Sequence, residues 1–215
     1  MSEFFNGIIV GISQTIIGHP LDTIKTNIQC GKKINIFSPK KLYRGIFYPT
    51  VSSAIINGLM FQTSGAINNY TNNYFISGGI TGIITSPIIN IFELYKVRRQ
   101  LGKPIRNIFT KPFIGLTPTL TRESLAMSLY FGSYHTFKER NYNIFLAGGM
   151  AGSLSWLLTY PLDVIKTKFQ SGQYLTWKSA IQTGNLWKGI LPCLSRSFLV
   201  NGVSFQIYNY IGGKI

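Results

Sequence analysis

Acidic and basic side chains recur in this sequence at fixed offsets, inside stretches that are otherwise apolar. An acid is followed three residues later by a lysine and, four residues after the lysine, by a glutamine. The three sets are Asp22, Lys25 and Gln29, then Glu93, Lys96 and Gln100, then Asp163, Lys166 and Gln170. Residues three apart share one face of a helix, so each set presents an acid beside a base. The pattern predicts ion pairing between helices, and we expect neither enzymatic activity nor a metal site.

The same register extends over the whole chain and predicts three tandem repeats. Glycine pairs of the small-xxx-small type precede the three sets at one fixed distance, at Gly7 and Gly11, Gly78 and Gly82, and Gly148 and Gly152. A landmark glycine in each second half is followed sixteen residues later by a phenylalanine, at Gly45 and Phe61, Gly115 and Phe131, and Gly189 and Phe205. We predict repeats over 1–71, 72–142 and 143–215.

Each repeat contains two apolar segments that are long enough to cross a membrane. The segments span about 4–29 and 44–66, then 75–100 and 114–137, then 144–170 and 188–211. At 1.5 Å per residue, twenty helical residues cross a hydrocarbon layer of about 30 Å. Proline inside such a helix kinks its axis, which we expect at Pro20 and Pro161. The predicted fold class is an all-α membrane protein with six transmembrane helices in three pseudo-threefold repeats.

Composition and charge favour a membrane protein over a soluble nucleic-acid binder. The chain is 45% hydrophobic and 13% charged, against roughly 25% charged in soluble domains. Sixteen of its 21 basic residues lie in the connections within repeats, at 25–44, 96–111 and 166–188. The positive-inside rule puts these connections on the inner side and both termini on the other. We expect no nucleic-acid partner, no cleavable targeting segment before Phe4, and no disulfide between Cys30 and Cys193.

These motifs resemble those of the mitochondrial carrier family. The family signature P-x-D/E-x-x-K/R-x-K/R-x-Q is matched closely in the third repeat, nearly in the first, where Asn27 replaces a base, and without proline in the second. An Asn-Gly pair three residues before Phe61 and Phe205 adds to the likeness. The resemblance implies a monomeric, cofactor-free, six-helix exchanger of the mitochondrial inner membrane, with both termini on the intermembrane-space side.

The resemblance also implies a ring of ion pairs that closes the matrix side. The implied pairs are Asp22–Lys96, Glu93–Lys166 and Asp163–Lys25, braced by Gln29, Gln100 and Gln170. Charges that merely mark helix ends are the competing explanation. Family members usually carry a second charged ring on the cytosolic side. In this sequence that ring has lost most of its charges, and His135 replaces its acid in the second repeat. We expect that closure to be weak or to depend on Tyr and Asn hydrogen bonds, so that uniport accompanies exchange.

Two arginines inside the predicted spans, Arg122 and Arg196, are the candidate substrate ligands. Arginine within a membrane is costly and marks a functional site by default, although a helix-pairing salt bridge with Glu123 also explains Arg122. The pair Arg122-Glu123 resembles that of carriers for amino acids, ornithine and carnitine derivatives. Arg196 resembles the base that grips a carboxylate in such carriers.

The substrate class is predicted from the charges around this site. The eleventh residue after Gly45 is Ile56, with Ser52 and Ser53 one turn below. A carrier of dibasic substrates resembling ornithine carriers would show an acid there, so Ile56 favours a carnitine-like or neutral zwitterionic metabolite. The two bases Arg122 and Arg196 outnumber the one acid Glu123, which likewise favours a carboxylate-bearing molecule. A nucleotide or deoxynucleotide carrier is the second hypothesis, and a degenerate non-transporting or leak protein is the third.

Two aromatic-base-glycine turns are candidate lipid sites. Arg44-Gly45 and Lys188-Gly189 resemble cardiolipin-binding turns of the family, where exposed backbone N–H groups at helix N-termini favour phosphate. Plain interfacial anchoring by aromatic and basic side chains explains the same residues. Membrane lipid, with bound cardiolipin, and a small-molecule metabolite are therefore the expected partners.

Overall fold

The described residues include six long α-helices, which confirms the predicted all-α class. The computed structural model describes residues 2–29, 42–43, 46–100, 113–170, 181, 186–187 and 190–212, and in this part of the chain it contains no strand. The helices are α1 (Ser2–Gln29), α2 (Phe47–Thr71), α3 (Tyr74–Gln100), α4 (Leu116–Glu139), α5 (Ile144–Gln170) and α6 (Ile190–Tyr210). Each predicted apolar segment falls on one of these helices.

The six helices form a closed ring in chain order. Helices α1 and α2, α3 and α4, and α5 and α6 pack as hairpins. Neighbouring hairpins contact each other through α2 and α3, and through α4 and α5. The ring closes because α6 packs against α1. Side chains on the inner faces of all three hairpins therefore share one interior.

Glycine allows the helices of each hairpin to approach closely. A Cβ added at Gly11 of α1 would lie 2.7 Å from the carbonyl carbon of Ser53 on α2. In the second hairpin, a Cβ added at Gly82 would lie 2.6 Å from the carbonyl carbon of Glu123. Both distances are shorter than any real contact of a Cβ atom. These positions thus have the close-packing role that small-xxx-small glycines play in membrane helices.

Asparagines shape both connections between hairpins. Asn72 adopts a left-handed conformation with φ 50°, and its N–H bonds the Asn68 carbonyl at 3.0 Å. The next residue, Asn73, accepts the N–H of Phe75 through Oδ1 at 3.0 Å, which caps the start of α3. Asn141 and Asn143 repeat this arrangement before α5, with φ 60° at Asn141. Asparagine tolerates the left-handed region better than most residues, so each connection can be short.

Helix α3 is polar on its inner face and apolar on its outer face. Its buried polar residues are Ser77, Thr81, Thr85, Ser86 and Asn90. Its exposed isoleucines are Ile76, Ile80, Ile83, Ile84, Ile88 and Ile91. This distribution is the reverse of that expected for a helix on the surface of a soluble protein. By length and composition, α1 over Glu3–Leu21 and α3 over Tyr74–Tyr95 are also apolar enough to cross a membrane.

Aromatic rings from the three even-numbered helices form the core of the ring. The three landmark phenylalanines meet there, with ring centroids 5.8 Å apart for Phe61 and Phe131 and 6.3 Å apart for Phe61 and Phe205. Tyr208 stacks on Phe61 at 4.3 Å, and Tyr134 stacks on Phe205 at 3.6 Å. These five rings, defined here as the aromatic core, are nearly inaccessible to solvent. They fill the axis between α2, α4 and α6.

Candidate substrate and gate site

Lys166 of α5 holds two carboxylates from different helices. Its Nζ atom lies 2.6 Å from Oε2 of Glu93 on α3 and 2.8 Å from Oε1 of Glu123 on α4. The side chain of Lys166 is 2% exposed. An ammonium group this deeply buried requires acidic partners, since burial of a lone charge is prohibitive. One side chain thus ties α3, α4 and α5 together.

Arg122 extends these contacts into a chain of alternating charges. Its Nη1 atom donates to Oε1 of Glu123 at 2.7 Å, and its Nε lies 3.6 Å from Oδ1 of Asp163. The guanidinium carbon also lies 4.6 Å from the ring centroid of Trp156, a cation–π distance. Arg122 and Glu123 are both buried. We call Glu93, Arg122, Glu123, Asp163 and Lys166 the ionic network.

The spacing of residues on α5 explains how the ionic network forms. Asp163 and Lys166 are three residues apart and lie on the same helix face. That face meets α4 where Arg122 and Glu123 adjoin, so α5 offers an acid to the arginine and a base to the glutamate. Trp156 lies two helical turns before Asp163 and supplies the ring beneath the guanidinium.

The five ionised groups of the network carry more acid than base. Three acids and two bases give them a formal charge of −1. The side chains of Glu93 and Asp163 are 32% and 27% exposed, whereas Glu123 is 2% exposed. The two end carboxylates therefore reach accessible space while the middle of the network is dry. The two end carboxylates are thus the members of the network that a cationic group in the accessible space can contact.

The structure places some predicted gate residues together, and others lie outside its described part. Glu93 and Lys166 are in contact, as the family resemblance implied. Asp163 contacts Arg122. The remaining predicted residues of the gate and of the lipid sites lie outside the described residues or side chains, and they are Asp22, Lys25, Lys96, Gln29, Gln100, Gln170, Arg44, Gly45, Lys188 and Gly189. Pro20 and Pro161 lie inside α1 and α5, and Pro87 lies inside α3.

Arg196, the second candidate substrate ligand, packs against the first helix. A Cβ added at Gly18 of α1 would lie 2.9 Å from Nη2 of Arg196 on α6. The half-buried guanidinium therefore occupies a space that glycine leaves open. This places a fixed positive charge where the ring closes between α6 and α1.

The candidate residues on α2 are engaged within their own helix. The hydroxyl of Ser52 donates to the carbonyl of Pro49 at 3.1 Å. The hydroxyl oxygen of Ser53 accepts from Nδ2 of Asn57 at 3.2 Å. Ile56 is half-buried on the same helix. Asn201 makes the equivalent bonds to Ser197 on α6, so the Asn-Gly pairs have a local structural role that the sequence analysis did not identify.

The opposite end of the ring is closed by aromatic and hydrogen-bonded contacts. The hydroxyl of Tyr208 donates to the carboxylate of Glu3, which joins α6 to α1. Tyr130 donates to Oδ1 of Asn201 at 3.2 Å. His135, which stands at the acid position of the decayed ring, stacks on Tyr74. Glu3 was not identified as a candidate from the sequence.

Comparison with known proteins gives concordant matches. The family model described as mitochondrial carrier protein matches residues 138–214. The chain is 30% identical to the mitochondrial arginine transporter BAC2 of Arabidopsis thaliana, over 96% of this chain and 88% of that protein. It is 27% identical to the mitochondrial basic amino acids transporter of Homo sapiens, over 93% and 79%. The glutamate/glycine mitochondrial carrier ymc1 of Schizosaccharomyces pombe is 22% identical, over 99% and 94%.

The matches to these three relatives cover nearly the whole chain and agree with its closed ring of six helices. A carrier is a transport protein, and its residues bind and release a solute without changing it chemically. The protein belongs to the mitochondrial carrier family.

Proposed function

We propose that the protein is a multi-pass transporter of the mitochondrial inner membrane. Helix α3 supports this placement, because it exposes isoleucine and buries serine, threonine and asparagine. Lipid is the solvent that stabilises such a surface. The three repeats over 1–71, 72–142 and 143–215 remain part of the proposal, supported by the recurring glycine contacts. The proposal also includes both termini on the intermembrane-space side, cardiolipin as the bound lipid and a monomeric state.

We propose an amino acid as the transported molecule. The observation that carries this proposal is the buried ionic network inside the helix ring, with Arg196 on a different helix. An α-amino acid has a carboxylate that suits the guanidinium of Arg196 and an ammonium that suits the acids of the network. The relatives named for amino acids support the same class.

Basic amino acids deserve the first test within this class. The sequence disfavours dibasic substrates because Ile56 is not an acid, whereas Arg122, Arg196 and Glu123, two bases and one acid, favour any carboxylate-bearing molecule. The ionic network adds Glu93, Asp163 and Lys166, so that with Arg196 the site has three acids and three bases, and its carboxylates can accept a second positive charge. Two relatives carry arginine or basic amino acids in their names. We therefore include arginine and lysine with the neutral zwitterions.

Alternating access requires a gate on each side of the substrate, and the structure supplies a candidate for each. The ionic network joins α3, α4 and α5, and we propose that it forms part of the matrix gate. The aromatic core begins at Phe131, nine residues after Arg122 and about 14 Å further along α4. We propose that these rings, with the Glu3–Tyr208 hydrogen bond, replace the decayed charged ring as the cytosolic gate.

A ligand-stabilisation screen tests the proposed substrate class. The purified protein in detergent is heated with arginine, lysine, glycine, glutamate, carnitine or ATP. A ligand at 100 times its Kd stabilises the folded state by about 2.7 kcal/mol, which corresponds to a rise in Tm of about 5–10 °C for a chain of this size. Agmatine, which is arginine without its carboxyl group, is the matched control and should give a much smaller rise. A rise with ATP alone would favour a nucleotide carrier, and no rise with any ligand would contradict the proposal.

A further inference from the structure

The positions at which the family's cytosolic ring carries its acids hold no acid in this chain. They lie four residues after the landmark phenylalanines and are occupied by Gly65, His135 and Asn209. Four of the six acids of the chain lie in the predicted matrix gate and the ionic network, which leaves Glu3 and Glu139. Glu139 is exposed at the end of α4, whereas Glu3 is half-buried in the first turn of α1. Glu3 is therefore the acid that remains for the interior of this end.

The side chain of Glu3 lies beside one of these three positions. A Cβ added at Gly65 of α2 would lie 4.0 Å from Cγ of Glu3, which is its nearest neighbour. A ring acid on α2 would project from this Cβ, so its carboxylate and that of Glu3 would share one small volume. Glycine at position 65 leaves that volume to Glu3. The fold thus places an acid from α1 where the sequence pattern omits one from α2.

Close packing fixes the first turns of α1 against α2. A Cβ added at Gly7 would lie 2.9 Å from the carbonyl carbon of Asn57, and one added at Gly58 would lie 2.9 Å from Cε2 of Phe4. Glu3 directly precedes Phe4, so the backbone that carries its carboxylate is held at a set place on α2. Helices that pack backbone to backbone in this way behave as one unit. A carboxylate on α1 therefore belongs to the same hairpin as one carried by α2.

The Glu3 carboxylate joins the first hairpin to the last. The hydroxyl of Tyr208 on α6 donates to it, and the ring of Tyr208 stacks on Phe61 of α2 at 4.3 Å. The bond to Glu3 thus holds one ring of the aromatic core in place. A hydrogen bond to an ionised carboxylate is roughly twice as strong as one between neutral groups. Since α1 and α6 are the first and last helices, only side-chain and backbone contacts close the helix ring between them.

We propose that Glu3 is the acid of the cytosolic gate, supplied by α1 at the place where α2 carries glycine. The inference rests on the proposed function, because it requires a carrier with a gate at this end. The negative charge stays on the first hairpin and holds the last hairpin through Tyr208 while the gate is closed. The bond breaks when α1 and α6 separate. Glu3 is a positioning residue, since it acts through Tyr208 and the aromatic core without touching the substrate.

Moving the carboxylate from α1 to α2 tests this inference. Glu3→Gln keeps a side chain that accepts the Tyr208 hydrogen bond and removes only the charge. Arginine uptake into liposomes is measured with internal arginine, which reports exchange, and without it, which reports uniport. We expect Glu3→Gln to raise the ratio of uniport to exchange about fivefold. Glu3→Gln/Gly65→Glu should restore most of the wild-type ratio, whereas the uncharged control Glu3→Gln/Gly65→Gln should leave the ratio raised.

Thiol labelling measures the same gate without a substrate. Ser52 stands in the first repeat where Arg122 stands in the second, nine residues before Phe61 and about 14 Å beneath the aromatic core. Ser52→Cys is made with both native cysteines replaced by serine, and a membrane-impermeant thiol reagent is added outside the liposomes. Labelling should be about fivefold faster with Glu3→Gln. It should return towards the starting rate when Gly65→Glu is added and stay fast when Gly65→Gln is added.

The outcomes separate this inference from the proposed function. Unchanged leak and labelling in Glu3→Gln would overturn the role of Glu3, and so would an equal rescue by Gly65→Glu and Gly65→Gln. If Gly65→Glu does not fold, Gly65→Asp replaces it, paired with Gly65→Asn, and is judged by the same results. A wild-type protein that transports no arginine would overturn the proposed substrate, and the labelling rates would still support or overturn the role of Glu3.

Discussion

Replacing Lys166 by methionine removes the ammonium that Glu93 and Glu123 share and keeps an unbranched side chain of similar length. The two N–O distances are 2.6 and 2.8 Å. With an effective dielectric constant of about 20, each contact has a gross attraction of roughly 6 kcal/mol. Most of this attraction is offset by the cost of removing an ammonium from water. The net effect of the substitution therefore depends on the two carboxylates that remain.

The expected loss of stability is large because those carboxylates lose their shared partner. Breaking a buried pair by removing one member costs about 3–5 kcal/mol. A chain of this size loses about 2–4 °C of Tm per kcal/mol. The Tm of Lys166→Met should therefore fall by roughly 6–20 °C. Thermal unfolding in detergent, followed by tryptophan fluorescence, measures the change.

Two further variants make this measurement decisive. Lys138→Met removes an exposed lysine from α4 and should change Tm by less than about 2 °C. The double variant Lys166→Met/Glu123→Gln should regain part of the lost stability, since one fewer buried charge lacks a partner. The reasoning is refuted if Lys166→Met is as stable as Lys138→Met, or if the double variant is less stable than Lys166→Met.

Three other substitutions, the first with a matched control, test the packing, the aromatic core and the arginine site. In thermal unfolding, Gly11→Ala should destabilise the protein by about 1–3 kcal/mol. Gly65→Ala is the control, because a Cβ added there meets nothing closer than 4.0 Å. It should be neutral or stabilise the protein by up to about 1 kcal/mol. Tyr208→Phe removes the hydrogen bond to Glu3 and should raise uniport relative to exchange in liposomes; an unchanged ratio would argue against the proposed cytosolic gate. Trp156→Leu removes the ring beneath the buried guanidinium and should lower arginine uptake severalfold, for a loss of about 1–2 kcal/mol; full activity would show that the cation–π contact is dispensable.

The helices were predictable because their signals are local and repeated. Apolar segments of at least twenty residues define each helix, and the glycine pairs mark the faces that pack within a hairpin. The contact of Gly82 with the backbone of Glu123 is an example, since the spacing of Gly78 and Gly82 predicts that close approach. The Asn72 and Asn141 turns were not predicted individually, although asparagine is a recognisable turn signal.

The candidate site was only partly predictable because its key contacts cross between repeats. The Glu93–Lys166 contact followed from the family resemblance. The contact of Lys166 with Glu123 did not, because Glu123 belongs to a different pattern and no spacing rule relates residues on packed helices. Trp156 was missed for the same reason. Its position seven residues before Asp163, on the same helix face, was the available signal.

The aromatic core lies at the end of the helix ring where the sequence lacks most of the family's charged residues. The sequence keeps only Lys138 where family members usually place the charges of the cytosolic ring, which predicts a closure that is weak or depends on Tyr and Asn hydrogen bonds. The structure contains Tyr134 and Tyr208 stacked on the phenylalanines of neighbouring even-numbered helices, and Glu3 reaches Tyr208 from α1. Ring stacking depends on the relative placement of helices, so it could not be read from spacing along the chain.

Uptake of labelled arginine into liposomes by the wild-type protein and by Arg196→Ala tests the central claim most directly, namely that charged groups inside the helix ring bind an amino acid by its two ends. The account predicts saturable uptake by the wild-type protein. It predicts that Arg196→Ala unfolds at nearly the wild-type Tm and loses essentially all uptake. Wild-type uptake no faster than that of protein-free liposomes, or an Arg196→Ala variant that transports at the wild-type rate, would contradict it.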